Sequence, residues 1–367
     1  MQPYEPTALP PPGVDIAQLV TLVGEANASL ARYDGLLHGM VNPAVMLSPL
    51  TNQEAVLSSK IEGTQATVEE VLEHEAGQEY DAHKEADIQE IINYRQALTL
   101  AADTLHEYPL RLGLVKALHK TLMDSVRGQD KEPGEFRKTQ NWIGPYGCTQ
   151  ETATFVPPNP LQLPIYLEEW ERYLESDDVD PLLQTAIVHA QFEILHPFKD
   201  GNGRIGRLLI PLFLYGKGRL STPMFYLSAY LEANRPEYYA RLAAITRNND
   251  WTGWIAFFLR AIAEQAKTNI VRVQAILALY ERMKIQVRDI TRSQHSAQIV
   301  DALFDRPIFR IGDFATRAHI PKPTAHPLLK QLQEAGLLKQ LREGAGRRPA
   351  ILAFPELLNI AEGRNVL

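Results

Sequence analysis

Cysteine is nearly missing from the 367-residue chain, because Cys148 is its single example. One thiol can form neither an internal disulfide nor a thiolate metal cage, so a disulfide-stapled secreted domain and a zinc ribbon are excluded. Long apolar runs are missing as well, since the longest, residues 208–215, is less than half of a membrane-spanning helix. No basic and apolar leader opens the N-terminus. These absences predict a soluble, cytoplasmic protein without a membrane contact.

Charge is spread unevenly over a chain whose formal net charge is −7. Residues 1–110 hold 17 Asp and Glu but only 4 Lys and Arg, whereas residues 296–353 hold 9 Lys and Arg against 5 Asp and Glu. A positive segment attracts polyanions and an acidic one repels them. A nucleic-acid role is therefore open for the C-terminal segment alone.

Apolar residues recur at helical spacing along most of the chain. Residues 1–14 are rich in proline and are expected to form a loose arm. We then predict helices over residues 15–37, 52–62, 85–105, 110–126, 163–174, 181–195, 204–215, 236–247 and 251–292, with a further helix opened by a Thr67–Glu70 capping box. Between them, β-branched and aromatic runs at 141–143 and 152–156 predict a small hairpin. The pattern indicates a mainly α protein, a helical bundle with one small β-hairpin.

Residues 293–367 follow a different pattern, which predicts a winged helix. Three short helical stretches, 296–304, 310–319 and 324–335, precede two strand-like runs, 338–341 and 350–354, around a turn at 343–346. The side chains placed to face DNA are Lys322, Thr324, His326 and Lys330 on the third helix and Arg342, Arg347 and Arg348 on the wing. Because the positive charge is modest, a winged helix that binds protein, or that forms a homodimer, fits equally well. We accordingly divide the chain into residues 1–110, 111–292 and 293–367.

Residues 196–207, with the sequence HPFKDGNGRIGR, combine groups suited to a polyphosphate. Pro197 ends the preceding helix, and the 201–203 turn can direct its N–H groups to one anion at the start of the next helix. Arg204 and Arg207 lie three residues apart, so their guanidinium groups share a face of the first turn. The segment predicts an anion site with two arginines beside it.

Two further groups in this segment could perform chemistry. Asp200 suits a divalent ion that bridges phosphates, and His196 is a base whose usual pKa lies near neutral pH. The glycines formally fit a dinucleotide-binding fingerprint, but the segment before them is helical and no strand leads into the turn. A di-metal site built on Glu193 and His196 would need a second motif of the same kind, which the sequence lacks. A glycine loop with solvated arginines would leave the clustering of these groups unexplained.

The same twelve residues match every fixed position of the Fic motif, H-P-F-x-[D/E]-G-N-G-R-x-x-R, so the chain resembles the Fic family from about residue 52 to residue 265. The resemblance implies a helical bundle that moves AMP from MgATP to a Ser, Thr or Tyr hydroxyl of a protein and releases pyrophosphate. It makes His196 the base and Asp200 the magnesium ligand. It assigns the α-phosphate to Asn202 and the Gly201 and Gly203 amides, the β-phosphate to Arg204 and the γ-phosphate to Arg207.

A second segment, SSKIEG at 58–63, resembles the inhibitory helix of Fic proteins, [S/T]-x-x-x-E-[G/N]. Ser58 and Glu62 are four residues apart and share one helical face, near the end of a helix expected at 52–63. The resemblance implies that Glu62 pairs with Arg207 and so keeps ATP from binding in the reactive position. The alternative is that Glu62 is one of many acids on a solvated acidic surface.

Two more segments resemble parts of the family. Residues 134–137 and the hairpin after them resemble the Fic flap, to which a target protein adds as a strand. We predict Thr152, Ala153, Thr154, Phe155 and Val156 as the pairing edge, although an ordinary surface hairpin explains them equally well. Tyr238 and Tyr239 resemble nucleoside-side tyrosines, and a buried aromatic pair is the plain alternative.

The sequence therefore predicts an autoinhibited protein adenylyltransferase that uses ATP and Mg²⁺ and acts on proteins with an exposed hydroxyl, itself included. Two alternatives stay open. One is a winged-helix DNA-binding regulator that senses a nucleotide without transferring it, and the other is a Fic enzyme that mainly removes AMP from modified proteins.

Overall fold

The computed structural model describes residues 2–40, 42–124, 129–145, 147–344 and 349–367. Helices dominate the described residues, as the sequence predicts, and a long connection over 132–162 separates the 3-10 turn Gln129–Lys131 from the next helix. The helices are α1 (Ile16–His38), α2 (Pro43–Met46), α3 (Ser48–Ile61), α4 (Val68–Glu75), α5 (Ala82–Leu105), α6 (Leu112–Leu122), α7 (Leu163–Glu175), α8 (Pro181–Leu195), α9 (Asn202–Gly216), α10 (Ser228–Ala233), α11 (Arg235–Asn248), α12 (Trp251–Thr291), α13 (Ser296–Asp305), α14 (Ile311–Arg317), α15 (Lys322–Glu334) and α16 (Pro355–Glu362). The strands are β1 (Ile308–Arg310), β2 (Lys339–Arg342) and β3 (Ile351–Ala353).

Agreement with the sequence is best for the long helices. The helix predicted over 251–292 is α12, and the predicted capping box opens α4, with Glu70 N donating to Thr67 Oγ1 at 3.3 Å and Thr67 N donating to Glu70 Oε2 at 2.8 Å. Helices α2, α10 and α16 were not predicted, because two turns or fewer contain too few positions to show a period. Among the described residues, no helix combines the length and the apolar character needed to cross a bilayer.

The chain forms two compact units that alternate along the sequence. The first unit consists of residues 1–38, 57–63 and 92–267, and the second consists of residues 39–56, 64–91 and 268–367. Each unit thus combines parts of more than one of the three segments drawn from the sequence. The two units do not follow the predicted boundaries at 110 and 292. Those boundaries concern domains and stay a prediction.

The core of the first unit is built around α8. Thirteen of the residues of α8 are buried, and its neighbours in this unit include α1, α7, α9 and α11. Two fully buried indoles fix the helix by donating to its backbone, from Trp170 Nε1 to Val188 O at 3.0 Å and from Trp254 Nε1 to Ala186 O at 2.8 Å. A buried indole N–H is tolerated because it has such a partner. Helix α8 therefore provides a rigid support for the residues that follow it.

The second unit contains the predicted winged helix. Its antiparallel sheet has the order β1-β3-β2, and β3 pairs with both neighbours at Ala353, which faces Ile308 of β1 and Lys339 of β2. Strand β1 was not predicted, since residues 310–319 were read as one helix, whereas the helix begins at Ile311. The wing residues Arg347 and Arg348, and residues 345–346 of the predicted 343–346 turn, lie outside the described residues.

Candidate active site

The loop at residues 196–201 joins α8 to α9 in the first unit. His196 follows the last residue of α8 in a left-handed conformation, with φ 45°, and its N–H donates to Phe192 O at 3.0 Å. Pro197 cannot continue the helix, so the predicted stop is observed. Gly201, with φ 75°, precedes α9, where the absence of a Cβ removes the cost of this conformation.

Helix α9 begins at Asn202, two residues earlier than predicted, so Asn202 and Gly203 form its first turn. The backbone N–H groups of a first turn have no partner within the helix and carry the positive end of the helix dipole. The Asn202 side chain is occupied inside the loop: its Oδ1 accepts from Phe198 N at 2.8 Å, and its Nδ2 donates to Phe198 O at 2.9 Å. These two bonds fix the Asn202 side chain against the loop and use one of its two amide N–H groups.

The imidazole of His196 is held in the neutral form. Burial and then the positive charge of Arg137 lower the pKa of His196 to about 4, against the opposing effects of Glu62 and Asp200. The ring atom Nδ1 is buried and has no hydrogen-bond partner in the described part of the chain. A neutral imidazole can accept a proton at pH 7, so the side chain meets the first requirement of a general base.

Asp200 lies beside the start of α9. Its Oδ1 accepts from Gly201 N at 2.5 Å and lies 3.8 Å from Arg204 Nη2, and the side chain is 47% exposed. Among the described residues, no group of three or more His, Cys, Asp or Glu could hold a metal ion. One exposed carboxylate nevertheless fits Mg²⁺, which commonly takes one or two protein carboxylates and completes its shell with phosphate oxygens and water.

Arg207 is buried, with 2% of its side chain exposed, and it contacts the 57–63 segment of the same unit. Its Nη2 donates to Glu62 Oε1 at 2.7 Å and to Ser58 O at 2.8 Å, and its Nε donates to Ser58 Oγ at 2.9 Å. Burial is the largest single influence on the pKa of Glu62 and raises it, but the charge and hydrogen bond of Arg207, together with Arg204 and His196, outweigh burial and lower the pKa, so the carboxylate is ionised. The segment thus binds the second arginine of the motif through a charged pair and two further hydrogen bonds.

Two glycines of α9 leave room for carboxylates. A Cβ on Gly203 would collide with Glu62 Oε1 and lie 3.0 Å from Arg207 Nη1, and a Cβ on Gly206 would collide with Glu193 Oε1. Glu62 therefore lies over the first turn of α9, where the backbone amides favour an anion.

Glu193 of α8 differs from Glu62 in its charge. Its Oε1 is buried without a hydrogen-bond partner in the described residues, and burial raises the pKa of Glu193 to about 8. The carboxyl group is therefore protonated at neutral pH. No pattern in the sequence indicates this state, because a glutamate on a helix is ordinarily exposed and charged.

In the described residues of the flap, which exclude residue 146, the two predicted strand-like runs form an isolated bridge rather than a hairpin of two strands. Ile143 N donates to Phe155 O at 2.8 Å and Phe155 N donates to Ile143 O at 3.0 Å, which makes an isolated bridge. Pro145 and the prolines at 157–158 have no N–H with which to extend it. Val156 O accepts from Tyr4 N at 2.9 Å, so the N-terminal arm covers the predicted pairing edge at that point.

The two predicted nucleoside-side tyrosines differ in exposure. Tyr239 is 44% exposed, whereas Tyr238 is 1% exposed. The Tyr238 hydroxyl donates to His189 Nε2 at 3.0 Å, and His189 Nδ1 donates to Gly206 O at 3.0 Å. Tyr238 and His189 thus form part of the core behind α9, and only Tyr239 has a surface that a nucleoside could contact.

Two positioning side chains were missed by sequence reasoning. His119 is fully buried; it accepts from Gly134 N at 2.8 Å, donates to Asp200 O at 3.0 Å and stacks on the Phe198 ring at 3.7 Å between centroids. Arg137 is buried and bonds to the backbone of the loop. His119 lies in the apolar run of α6, where nothing separates it from other core residues.

Three family models match separate parts of the chain. The Fic/DOC family N-terminal model matches residues 20–103, the Fic/DOC family model matches residues 109–214, and the IclR helix-turn-helix domain model matches residues 296–342. A probable protein adenylyltransferase of Aquifex aeolicus is 27% identical over 52% of this chain and 55% of its own length. The protein adenylyltransferase Fic of Drosophila erecta is 34% identical over 28% of this chain and 19% of its own.

The chain thus spans about half the length of the first of these relatives and about a fifth of the second. Among solved structures, that of a Fic family protein from Desulfovibrio desulfuricans G20 is similar with a TM-score of 0.57 at 21% identity, covering 96% of this chain and 98% of that chain. A likeness at this identity speaks for the fold. The two Fic/DOC models match residues 20–103 and 109–214. These matches, together with the fold, show that the chain belongs to the Fic/DOC family.

Proposed function

We propose that the chain is a protein adenylyltransferase, which transfers AMP from ATP to a Ser, Thr or Tyr hydroxyl of a target protein. The observation that carries the proposal is the loop at 196–201, which joins a neutral imidazole to a helix start followed by two arginines. The names of the relatives, probable protein adenylyltransferase and protein adenylyltransferase Fic, support it.

In the proposed reaction, the hydroxyl oxygen of the target attacks the α-phosphorus and the bond from the α-phosphorus to the bridging oxygen breaks, so that pyrophosphate leaves. The hydroxyl proton passes to His196. The first-turn amides of α9 bind the α-phosphate, while Arg204 and Arg207 neutralise the leaving phosphates. Phosphoryl transfer needs mainly positioning and neutralisation of charge, which these groups supply.

Asp200 is the residue that would hold Mg²⁺, which supplies positive charge to the phosphates when it is bound. Its exposed carboxylate and its place at the start of α9 support the assignment. The Asp200 backbone is fixed by His119, so the side chain starts from a defined position.

We further infer that the wild-type chain is autoinhibited. While Glu62 and Ser58 bind Arg207, three of the five N–H groups of its guanidinium are engaged and its charge is paired, and the Glu62 carboxylate repels phosphate from the first turn of α9. A nucleotide that enters this site cannot adopt the reactive position.

The test is transfer of label from α-³²P-ATP to a cell lysate and to the chain itself. Glu62→Gly is the active reference, and adding His196→Ala to it should remove all transfer. Glu175→Gly, at the exposed end of α7, is a control for the loss of a glutamate at a helix end. Free AMP released from a purified modified target would indicate that the chain also removes AMP by hydrolysis, with water as the attacking group. No transfer by Glu62→Gly would reject the proposal.

A second candidate function is DNA binding by the winged helix. The match to a helix-turn-helix domain favours it, and Lys322, His326 and Lys330 are exposed on α15. Arg342 of the wing instead donates to Gly77 O and Gln78 Oε1 in the same unit. Salt-dependent binding of a DNA duplex that is lost in Lys322→Ala with Lys330→Ala would support DNA binding, and binding unchanged by these substitutions would reject this face.

A further inference from the structure

Arg137 carries a buried charge whose partners are backbone carbonyls. Its residue is 2% exposed, and its guanidinium group donates to His196 O at 2.9 Å, Pro158 O at 2.6 Å, Leu195 O at 3.3 Å and Thr139 O at 3.4 Å. A buried charge is costly unless such partners replace water. Leu195 and His196 supply the last carbonyls of α8, at the negative end of the helix dipole, where a cation is favoured.

Residues 137–141, at the start of the flap segment, donate hydrogen bonds to three successive carbonyls of the loop at 196–201. The Arg137 side chain binds His196 O, the Arg137 backbone N–H donates to Pro197 O at 2.9 Å, and Asn141 Nδ2 donates to Phe198 O at 3.1 Å. Arg137 opens the flap segment, and Pro158 closes it. One guanidinium group therefore joins both ends of the flap segment to the residue that carries the base.

We propose that Arg137 is a positioning residue of the transfer reaction, which holds the left-handed backbone of His196 and fixes it relative to the flap that docks the target. The inference rests on the proposed function, since it assigns the base and the flap their roles. Left-handed backbone is unfavourable for a residue with a Cβ, so it persists only where surrounding contacts hold it. Arg137 and the Phe192 carbonyl provide those contacts at His196.

The charge of Arg137 adds an effect on the base itself. After burial, Arg137 is the largest influence that lowers the pKa of His196, while the Glu193 backbone, Glu62 and Asp200 act in the opposite direction. Removing the positive charge should therefore raise the pKa of His196. Lysine in the same place would keep the charge but could not bind four carbonyls, because its ammonium group has three donors.

The test compares Arg137→Gln and Arg137→Lys with their parent in a Glu62→Gly background. Arg137→Gln should move the acid limb of the kcat/KM profile, and the NMR titration of His196, to higher pH by about one unit. It should also lower kcat at least tenfold, since a small displacement of a base has a large effect on rate. Arg137→Lys should lower kcat but leave the acid limb in place. Arg111→Gln, at an exposed ion pair with Glu175, is the matched control.

A purely structural role predicts a lower melting temperature for both variants with an unmoved acid limb and an unmoved His196 titration, and that result would overturn the proposal. So would full kcat in Arg137→Lys, which decides the question if Arg137→Gln does not fold. The NMR titration needs no turnover. A parent that transfers no AMP would therefore reject the proposed function while leaving the effect of Arg137 on His196 measurable.

Discussion

Two segments of the first unit bring a carboxyl group to Arg207, and they differ in burial. Glu62, at the end of the 57–63 segment, keeps 35% of its side chain exposed and is ionised, and its Oε1 lies 2.7 Å from Arg207. Glu193, inside α8, has a buried Oε1 without a partner among the described residues, and its pKa is raised to about 8. The comparison shows that Arg207 is held by the carboxylate nearer to solvent. A carboxylate with access to water is hydrated again when it leaves the arginine, which suits a releasable inhibitor.

The largest expected effect on AMP transfer comes from removing Glu62, the more exposed of the two carboxyl groups. Glu62→Gly removes the charged partner of Arg207. Loss of one partner from a buried ion pair costs about 3–5 kcal/mol, and the lower value, about 3 kcal/mol, applies here because Glu62 is partly exposed. We therefore expect AMP transfer to rise by roughly 100-fold. Initial rates of label incorporation at saturating ATP check this, with Glu175→Gly expected to match the wild type. Equal rates for Glu62→Gly and the wild type would remove the inhibitory role.

A smaller effect should follow from Ser58→Ala. This change removes the Oγ acceptor of Arg207 Nε but leaves the Glu62 pair and the Ser58 carbonyl in place. A hydrogen bond to a charged group is worth about 1.5–3 kcal/mol, so activity should rise about tenfold. Ser59→Ala is the matched control, because the buried Ser59 hydroxyl has no hydrogen-bond partner in the described part of the chain. If both alanine variants behave alike, Ser58 does not support the inhibited state.

The smallest effect on activity is expected from replacing Glu193, the buried carboxyl group. Glu193→Gln replaces a neutral acid by a neutral amide of the same shape, so transfer by the wild type and by Glu62→Gly should change by less than about twofold. A large gain in activity would mean that Glu193 is charged and competes with Glu62 for Arg207.

The same variant should change the pH dependence of stability. A carboxyl whose pKa is raised on folding, from 4.5 to about 8, binds its proton more tightly in the folded state. The contribution of Glu193 to wild-type stability should therefore fall as the pH rises from 4.5 to about 8. Glu193→Gln has no carboxyl group at this position and should not show this loss. The melting temperature of Glu193→Gln minus that of the wild type should thus increase from pH 5 to pH 9. A constant difference would contradict the protonated state of Glu193.

The twelve-residue motif could be read from the sequence because its information is local. Pro197 sets the end of α8, and the glycines permit the loop. The Glu62–Arg207 pair joins residues 145 positions apart, so it was expected only from the resemblance to the inhibitory helix. The start of α9 was placed two residues late, since propensity does not fix helix ends.

What the sequence could not predict depends on contacts between distant residues. Arg137 binds the carbonyl of a residue 59 positions away and His119 binds one 81 positions away. Neither pairing leaves a periodic or motif signal. The β-branched residues of the flap predict a hairpin, yet its described residues form one isolated bridge, because prolines and the N-terminal arm limit further pairing.

The most direct test of the central claim is a crystal structure of the Glu62→Gly chain soaked with MgATP. We predict that the Arg207 guanidinium group contacts the terminal phosphate in the space that Glu62 occupied, with the α-phosphate on the first-turn amides of α9. Nucleotide bound away from residues 196–207, or Arg207 turned from the phosphates, would contradict it.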